Sequence, residues 1–127
     1  MEIFIYKNFN EWYEDKPTEV LEGTITTLYN GLIAVDTVID NKSYRQLLSV
    51  KENFAILYKL SYGFLTDAME INIYSNVDSW KKSKPEICFN GQVCEDECTE
   101  NKFVFMNDDG YKHYLSLDNI YAVTYER

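Results

Sequence analysis

Apolar and polar side chains alternate at the start of the chain, over Met1-Glu2-Ile3-Phe4-Ile5-Tyr6. This period of two, together with the β-branched residues, predicts a strand. A short helix is predicted next, over Asn8 to Pro17, because Phe9 and Trp12 are three residues apart and therefore share a helical face. Either asparagine of the Asn8-Phe9-Asn10 segment can cap its first turn.

Four more strands are predicted in the first sixty residues, each bounded by turn signals: Glu22–Leu28, Leu32–Ile39, Ser43–Val50 and Phe54–Leu60. The Asn-Gly pair in Tyr29-Asn30-Gly31 favours a tight hairpin, because both residues tolerate positive φ. The other turns are predicted at Asp40-Asn41-Lys42 and Lys51-Glu52-Asn53.

The opening pattern returns at Met69-Glu70-Ile71-Asn72-Ile73-Tyr74, 68 residues later. Further pairs match at offsets of 68 and then 67, namely Asn8/Asn76, Trp12/Trp80, Lys16-Pro17/Lys84-Pro85, Gly23/Gly91, Tyr44-Arg45/Tyr111-Lys112, Leu48-Ser49/Leu115-Ser116, Phe54-Ala55-Ile56/Tyr121-Ala122-Val123 and Tyr58/Tyr125. An internal repeat of this kind predicts two units with one fold. Both tryptophans are expected in the core, because a large aromatic residue on an apolar helical face is usually buried.

The expected fold is α+β and predominantly antiparallel β, as two tandem strand-helix-four-strand units packed with pseudo-two-fold symmetry. Residues 1–60 form the first unit, 61–68 a packed junction and 69–127 the second unit, although the two could also make one composite domain. In element order and length each unit resembles Sm-like and SH3-like small barrels. A flat sandwich with one composite sheet fits the same order and stays open.

The 127 residues carry a formal net charge of -9, which disfavours direct binding to nucleic acid or to anionic membranes. We expect no secretory signal and no membrane span, and the odd number of cysteines, three, favours reduced thiols in the cytoplasm. His113 is the only histidine, and no Gly-rich phosphate loop occurs. The sequence therefore predicts a non-enzymatic protein without a cofactor.

Metal sites are weakly indicated. Cys94 and Cys98 have a spacing seen in zinc sites, but a tetrahedral zinc would need ligands beyond these and Cys88. The acidic residues of the second half do not follow the spacing of a calcium loop. We therefore predict no metal site.

Acidic residues concentrate in two predicted turns of the second half: Glu95, Asp96, Glu97, Glu100, Asp108 and Asp109. Such a surface would attract a partner protein whose own surface is basic. In size and charge the chain resembles immunity proteins that neutralise toxin nucleases and phage proteins that block defence enzymes. The first functional hypothesis is an inhibitor or regulator of a nucleic-acid-binding or nuclease partner, acting as a monomer or homodimer.

The alternative is a protein that sequesters a small molecule or nucleotide between the two repeats, since pockets favour such junctions. Its candidate residues are the matched pairs Tyr44, Arg45, Tyr111 and Lys112. A third hypothesis is an assembly subunit that closes a ring or fibre through exposed sheet edges.

Overall fold

The computed structural model describes residues 1–28, 32–50, 53–59 and 68–126. The strands are β1 (Glu2–Tyr6), β2 (Glu19–Glu22), β3 (Thr24–Thr27), β4 (Ile33–Ile39), β5 (Lys42–Leu48), β6 (Ala55–Lys59), β7 (Met69–Tyr74), β8 (Ile87–Val93), β9 (Lys102–Asn107), β10 (Tyr111–Ser116) and β11 (Ala122–Tyr125). The helices are α1 (Phe9–Tyr13) and α2 (Val77–Lys81), and two 3₁₀ turns cover Glu95–Glu97 and Leu117–Asn119. The predicted succession of strand, short helix and strands is therefore present in both halves.

Every described strand pair is antiparallel, which confirms the predominantly antiparallel β prediction. One sheet has eight strands in the order β11-β7-β8-β9-β10-β6-β1-β2, and the other has three in the order β3-β4-β5. The described strands form two open sheets and no closed barrel. The Sm-like or SH3-like architecture therefore stays a prediction.

The two halves meet where β10 pairs with β6, with Tyr111 opposite Lys59 and Leu115 opposite Ala55. We call this pairing the seam. In the sequence repeat β10 matches β5, and β6 matches β11. Two-fold symmetry would require a second pairing of β5 with β11, but within the described chain these strands are edges of different sheets. The described strands show the first of these pairings and not the second, so the predicted pseudo-two-fold packing is not confirmed and stays a prediction.

The two helices begin in the same way. The side chains of Asn8 and Asn76 accept the backbone N–H of Glu11 and Ser79, each at 2.9 Å, so Asn8 and not Asn10 is the first cap. This bond satisfies one N–H group that the first turn leaves without a partner. Neither of these five-residue helices is long or apolar enough to cross a membrane.

Close strand packing explains the matched glycines. A Cβ at Gly23 would collide with the carbonyl oxygen of Asp36, and a Cβ at Gly91 would collide with that of Met106. These carbonyls are equivalent in the repeat. Asp36 lies opposite Arg45 and Met106 lies opposite Lys112, and Arg45 and Lys112 are a matched pair. Only glycine lets the two strands approach this closely.

The predicted turn at Asp40-Asn41-Lys42 is confirmed. Asp40 and Asn41 form the β4–β5 turn with φ of 51° and 65°, as a tight hairpin requires. In the second half a longer loop ends at Gly110, whose φ is 85°. The predicted Tyr29-Asn30-Gly31 turn, most of the Lys51-Glu52-Asn53 turn and nearly all of the predicted junction 61–68 lie outside the described residues.

The core consists of two clusters of buried side chains. One contains Trp12, Phe54 and Phe105, and the other contains Ile3, Ile56 and Tyr114. Trp12 is 5% exposed, as expected.

The core prediction is wrong for Trp80, which is 44% exposed and contacts Tyr121 at a ring distance of 5.5 Å. The physical reason is position in the sheet. α1 lies beside the seam, where the second half covers it, whereas α2 lies beside the edge strand β11.

Candidate functional site

A cleft of about 300 Å³ lies along one side of the seam. Its volume is at the lower end of the range for small-molecule pockets. Both halves supply its lining, which is Phe4, Tyr6, Trp12, Tyr13, Asp15, Leu57, Ile87, Phe89, Asn107, Asp109, Tyr111 and His113. We call it the seam cleft.

The period of a strand explains which residues reach the seam cleft. Successive side chains of a strand point to opposite faces of the sheet, so residues two apart share a face. The lining takes such pairs from three strands: Phe4/Tyr6, Ile87/Phe89 and Tyr111/His113. α1 adds Trp12 and Tyr13, and Asp15 follows at the end of that helix with a φ of 56°.

Each ring nitrogen of His113 lies next to a donor group of another side chain. The indole N–H of Trp12 donates to Nδ1 at 3.3 Å, and the amide nitrogen of Asn107 lies 3.2 Å from Nε2. Because an indole nitrogen only donates, Nδ1 is the unprotonated nitrogen of a neutral ring, and Nε2 carries the proton. The amide nitrogen of Asn107 is also a donor, so its contact with Nε2 is not a hydrogen bond. The side-chain oxygen of Asn107 accepts the backbone N–H groups of Asp109 and Tyr111, which fixes the orientation of its amide.

Burial lowers the pKa of His113 to about 3. The ring lies parallel to Phe105 at a centroid distance of 4.5 Å, and edge-on to Trp12 at 6.0 Å. An added proton on Nδ1 would face the Trp12 donor and find no acceptor there. At neutral pH His113 is therefore an uncharged part of the cleft wall.

Two carboxylates, Asp15 and Asp109, supply the negative charge of the seam cleft, and the residues described in its lining include no lysine or arginine. The ammonium of Lys59 lies 5.5 Å from the ring centre of Tyr111, one of the lining residues. The hydroxyl of Tyr6 donates to Asp15 at 2.6 Å. Burial, followed by this carboxylate, raises the pKa of Tyr6 well above its ordinary value. Aromatic ring faces and carboxylates, the two kinds of group in this lining, both attract cations.

The structure separates the four predicted ligand-binding residues. Of these, Tyr111 lines the seam cleft. Tyr44 and Arg45 lie on the exposed strand β5, and Arg45 forms a two-pronged ion pair with Asp36 at 2.7 and 2.9 Å. Lys112 is next to Tyr111 on β10 and therefore points to the other face of the sheet.

On that face Lys112 forms a half-buried ion pair with Glu97, at 2.6 Å. Burial by itself lowers the pKa of Lys112, but the bond to Glu97 and the neighbouring hydroxyls of Tyr114 and Tyr58 raise it overall. The Thr27 hydroxyl reaches Tyr114 at 3.3 Å and Glu97 at 3.4 Å. This polar cluster joins the two halves and leaves Lys112 committed to an internal partner.

The six predicted acidic residues do not form one continuous surface. Glu95, Asp96 and Glu97 occupy a 3₁₀ turn and Glu100 follows it, whereas Asp108 and Asp109 lie beyond the other end of β9. A six-residue strand separates the two groups by about 17–20 Å. Asp96, Glu100 and Asp108 are exposed, while Glu97 is held by Lys112 and Asp109 lines the seam cleft.

Within the described residues no three His, Cys, Asp or Glu side chains are arranged to hold a metal ion. The thiol of Cys98 donates to the carbonyl of Cys94 at 3.4 Å and accepts the N–H of Val104 at 3.3 Å. Burial raises the pKa of both thiols. They pack against the core near β9.

Sequence reasoning missed most of the seam cleft. Only Tyr111 and Asp109 were among the predicted site residues, and they were assigned to different sites. The available signal was the repeat itself, because Trp12 and Tyr111 each have a counterpart in the other half, Trp80 and Tyr44. Whether Trp12 and Tyr111 line one site depends on how the two halves join. Pairing of β10 with β6 brings them together, and the pattern of either half alone does not specify that pairing.

No protein-family model, no curated protein and no solved structure matches this chain.

Proposed function

We propose that the protein binds a small planar cation, or a cationic side chain of a partner, in the seam cleft. The observation that carries this proposal is the described lining, in which aromatic rings from both halves and two carboxylates line one cleft with no lysine or arginine among them. This develops the alternative of a ligand site between the repeats, with a change in ligand chemistry. A nucleotide phosphate would meet Asp15 and Asp109 and be repelled.

The aromatic rings favour a planar group for two reasons. Ring faces carry negative charge density and attract a cation placed above them. They also bury a flat ligand with little loss of side-chain entropy, because Trp and Tyr have few rotatable bonds. A carboxylate at the same cleft adds a charge-assisted hydrogen bond, which is about twice as strong as a neutral one.

Three matched compounds test the proposal: benzamidine as a planar cation, benzamide as its neutral analogue and benzoate as an anion. Calorimetric titration and thermal shift are expected to show binding in the order benzamidine, benzamide, benzoate. Asp15→Asn and Asp109→Asn should each weaken benzamidine binding by about tenfold, the value of one charged contact. Asp96→Asn is the control, because Asp96 is exposed and lies outside the cleft lining.

Equal affinity for benzamidine and benzoate would contradict the electrostatic part of the proposal. Binding that survives both cleft substitutions and is lost in Asp96→Asn would place the site elsewhere.

A second candidate is the inhibitor or regulator of a basic, nucleic-acid-binding or nuclease partner. A shallow depression favours it, because Glu95, Asp96 and Glu126 line it together with Tyr125 and Met69. Charged residues at an exposed rim speed association with a partner of opposite charge and make it salt-dependent. The exposed pair Asp96 and Glu100 is better suited to this role than Glu97, which Lys112 already neutralises.

The test for this candidate is the double charge reversal Asp96→Lys with Glu100→Lys. Recovery of the partner from a lysate of the native cell should fall, and the salt dependence of binding should flatten. Asp15→Asn with Asp109→Asn is the matched variant, since it alters the seam cleft and leaves this rim intact. Unchanged recovery after the reversal would remove the candidate.

A non-enzymatic role in the cytoplasm is part of the same proposal. The surroundings of the only histidine support the non-enzymatic part, because His113 is neutral at physiological pH and both of its ring nitrogens face protein groups.

We also propose that the two halves arose by tandem duplication. The support is that the matched asparagines, glycines and turns recur in equivalent structural positions, including Asp15 and Ser83 with φ of 56° and 55°.

A further inference from the structure

The seam shows how one half of this chain recognises another. β10 contributes one edge and β6 the other, and Trp12 of α1 covers the joint by contacting Phe89 and His113 across it. Each of these elements has a counterpart in the sequence repeat. β5 corresponds to β10, β11 to β6, and α2 with Trp80 to α1 with Trp12.

Both counterpart strands end a described sheet. β5 is the last strand of the three-stranded sheet, and β11 is the last strand of the eight-stranded sheet at its other end. β5 and β11 are therefore edge strands, whereas their counterparts β10 and β6 pair with each other in the seam. We call the surfaces around these two edge strands the β5 end and the β11 end. A sheet edge exposes backbone N–H and C=O groups that can pair with another strand.

Side chains at the two ends are exposed where their seam counterparts are buried. Leu47 on β5 is 55% exposed, whereas Tyr114 at the matched place on β10 is 1% exposed. At the other end Tyr121 is 50% exposed, whereas the matched Phe54 is 1% exposed. Trp80 and Trp12 differ in the same direction. Apolar side chains left in water at both ends indicate surfaces that a partner covers.

We propose that a second copy of this chain covers these ends, with β5 of one copy pairing antiparallel to β11 of the next. Transferring the seam register through the repeat places Leu47 opposite Val123 and Tyr44 opposite Glu126. Trp80 then packs over the new joint as Trp12 packs over the seam. Because two different surfaces meet, the assembly is heterologous and forms a closed ring or a filament.

Charge works against this assembly, since each copy carries a formal net charge of -9. Repulsion between like-charged copies weakens as salt is added, because the Debye length falls from about 8 Å at 0.15 M to about 3 Å at 1 M. Association is therefore expected to strengthen with salt, which is the opposite of what an interface held by ion pairs would do.

The experiment is sedimentation velocity on the full chain over a concentration series, at 0.15 M salt and at higher salt. The wild type should form species larger than one 15.0 kDa chain, either as one discrete mass or as a concentration-dependent ladder. Leu47→Lys removes the β5 end and Trp80→Lys removes the β11 end, so each variant alone should sediment as a monomer. Mixed together they should form a one-to-one dimer, because each retains the end that the other has lost.

Val20→Lys is the matched control, because Val20 is 50% exposed on β2, an edge strand that takes no part in the proposed pairing of β5 with β11. Tyr44→Lys and Tyr121→Lys repeat the test at the two ends if one of the first variants fails to fold by circular dichroism. A wild type that stays monomeric at the highest soluble concentration would overturn the proposal. So would assembly that both end variants retain, or monomeric variants whose mixture does not dimerise.

Discussion

Trp12 and Trp80 occupy the same place in two similar local structures and have different surroundings. Each lies in a five-residue helix that starts at an asparagine cap with the same hydrogen bond. Trp12 contacts Phe54, Phe89 and His113 and is buried. Trp80 contacts Tyr121 and is half exposed.

The difference shows that the local sequence sets the helix and that the seam sets the burial. The covering residues of Trp12 include Phe89 and His113, which come from the other half of the chain. At α2 the adjacent strand β11 ends the described sheet. The seam thus places apolar side chains of the second half against the first half, and it creates the cleft as well.

The largest expected effect comes from replacing Trp12, with the same change at Trp80 as the comparison. Trp12→Ala should lower the free energy of unfolding by about 3–5 kcal/mol, because it leaves a cavity beside Phe54 and His113. Trp80→Ala should change it by no more than about 1 kcal/mol, since it removes one exposed ring contact. Urea unfolding of both variants checks the comparison, and equal losses would contradict it.

A smaller difference is expected between the matched cations Lys112 and Arg45. Lys112→Met should cost about 1.5–3 kcal/mol, because it leaves the half-buried carboxylate of Glu97 without its charged partner. Arg45→Met should have little effect, since its partner Asp36 stays solvated. Chemical denaturation with Glu97→Gln as the companion variant measures this. A larger loss for Arg45→Met would refute the assignment of Lys112 to the interior.

The pH dependence of stability separates His113 from its repeat counterpart Gln46. An unfolded histidine has a pKa near 6.5, whereas burial holds that of His113 at about 3. Between these values the unfolded chain binds more protons, so stability falls as the pH falls. From pH 7 to pH 5 this group should account for a loss of about 2 kcal/mol.

His113→Gln installs the residue found at the matched position and removes this part of the pH dependence. Asp15 and Asp109, which line the same cleft, are present in both proteins. Unfolding free energies of the two proteins at pH 7, 6 and 5 supply the measurement. Parallel curves would show that His113 does not keep a lowered pKa in the fold.

Much of the fold was predictable because it depends on local patterns. Period-two alternation identified β1 and β7, asparagine capping identified both helices, and positive φ at Asp40 and Asn41 followed from the turn chemistry. The repeat further predicted that the two halves share an element order. These features each arise within a few residues of chain.

The seam and the seam cleft were not predictable in the same way, because they depend on which edge strands pair. β5 and β10 have related sequences, yet only β10 is paired on both sides in the described chain. The choice is made over more than fifty residues of separation, as in the pairing of Leu115 with Ala55. Pattern within either strand carries no information about that partner.

The most direct test of the seam compares the two tryptophans one at a time. Trp80→Phe leaves Trp12 as the only indole, and Trp12→Phe leaves Trp80 as the only one. Acrylamide quenching of fluorescence at low protein concentration should find Trp12 protected and Trp80 accessible. If Trp12 is quenched as readily as Trp80, the second half does not cover it, and neither the seam nor its cleft forms as described.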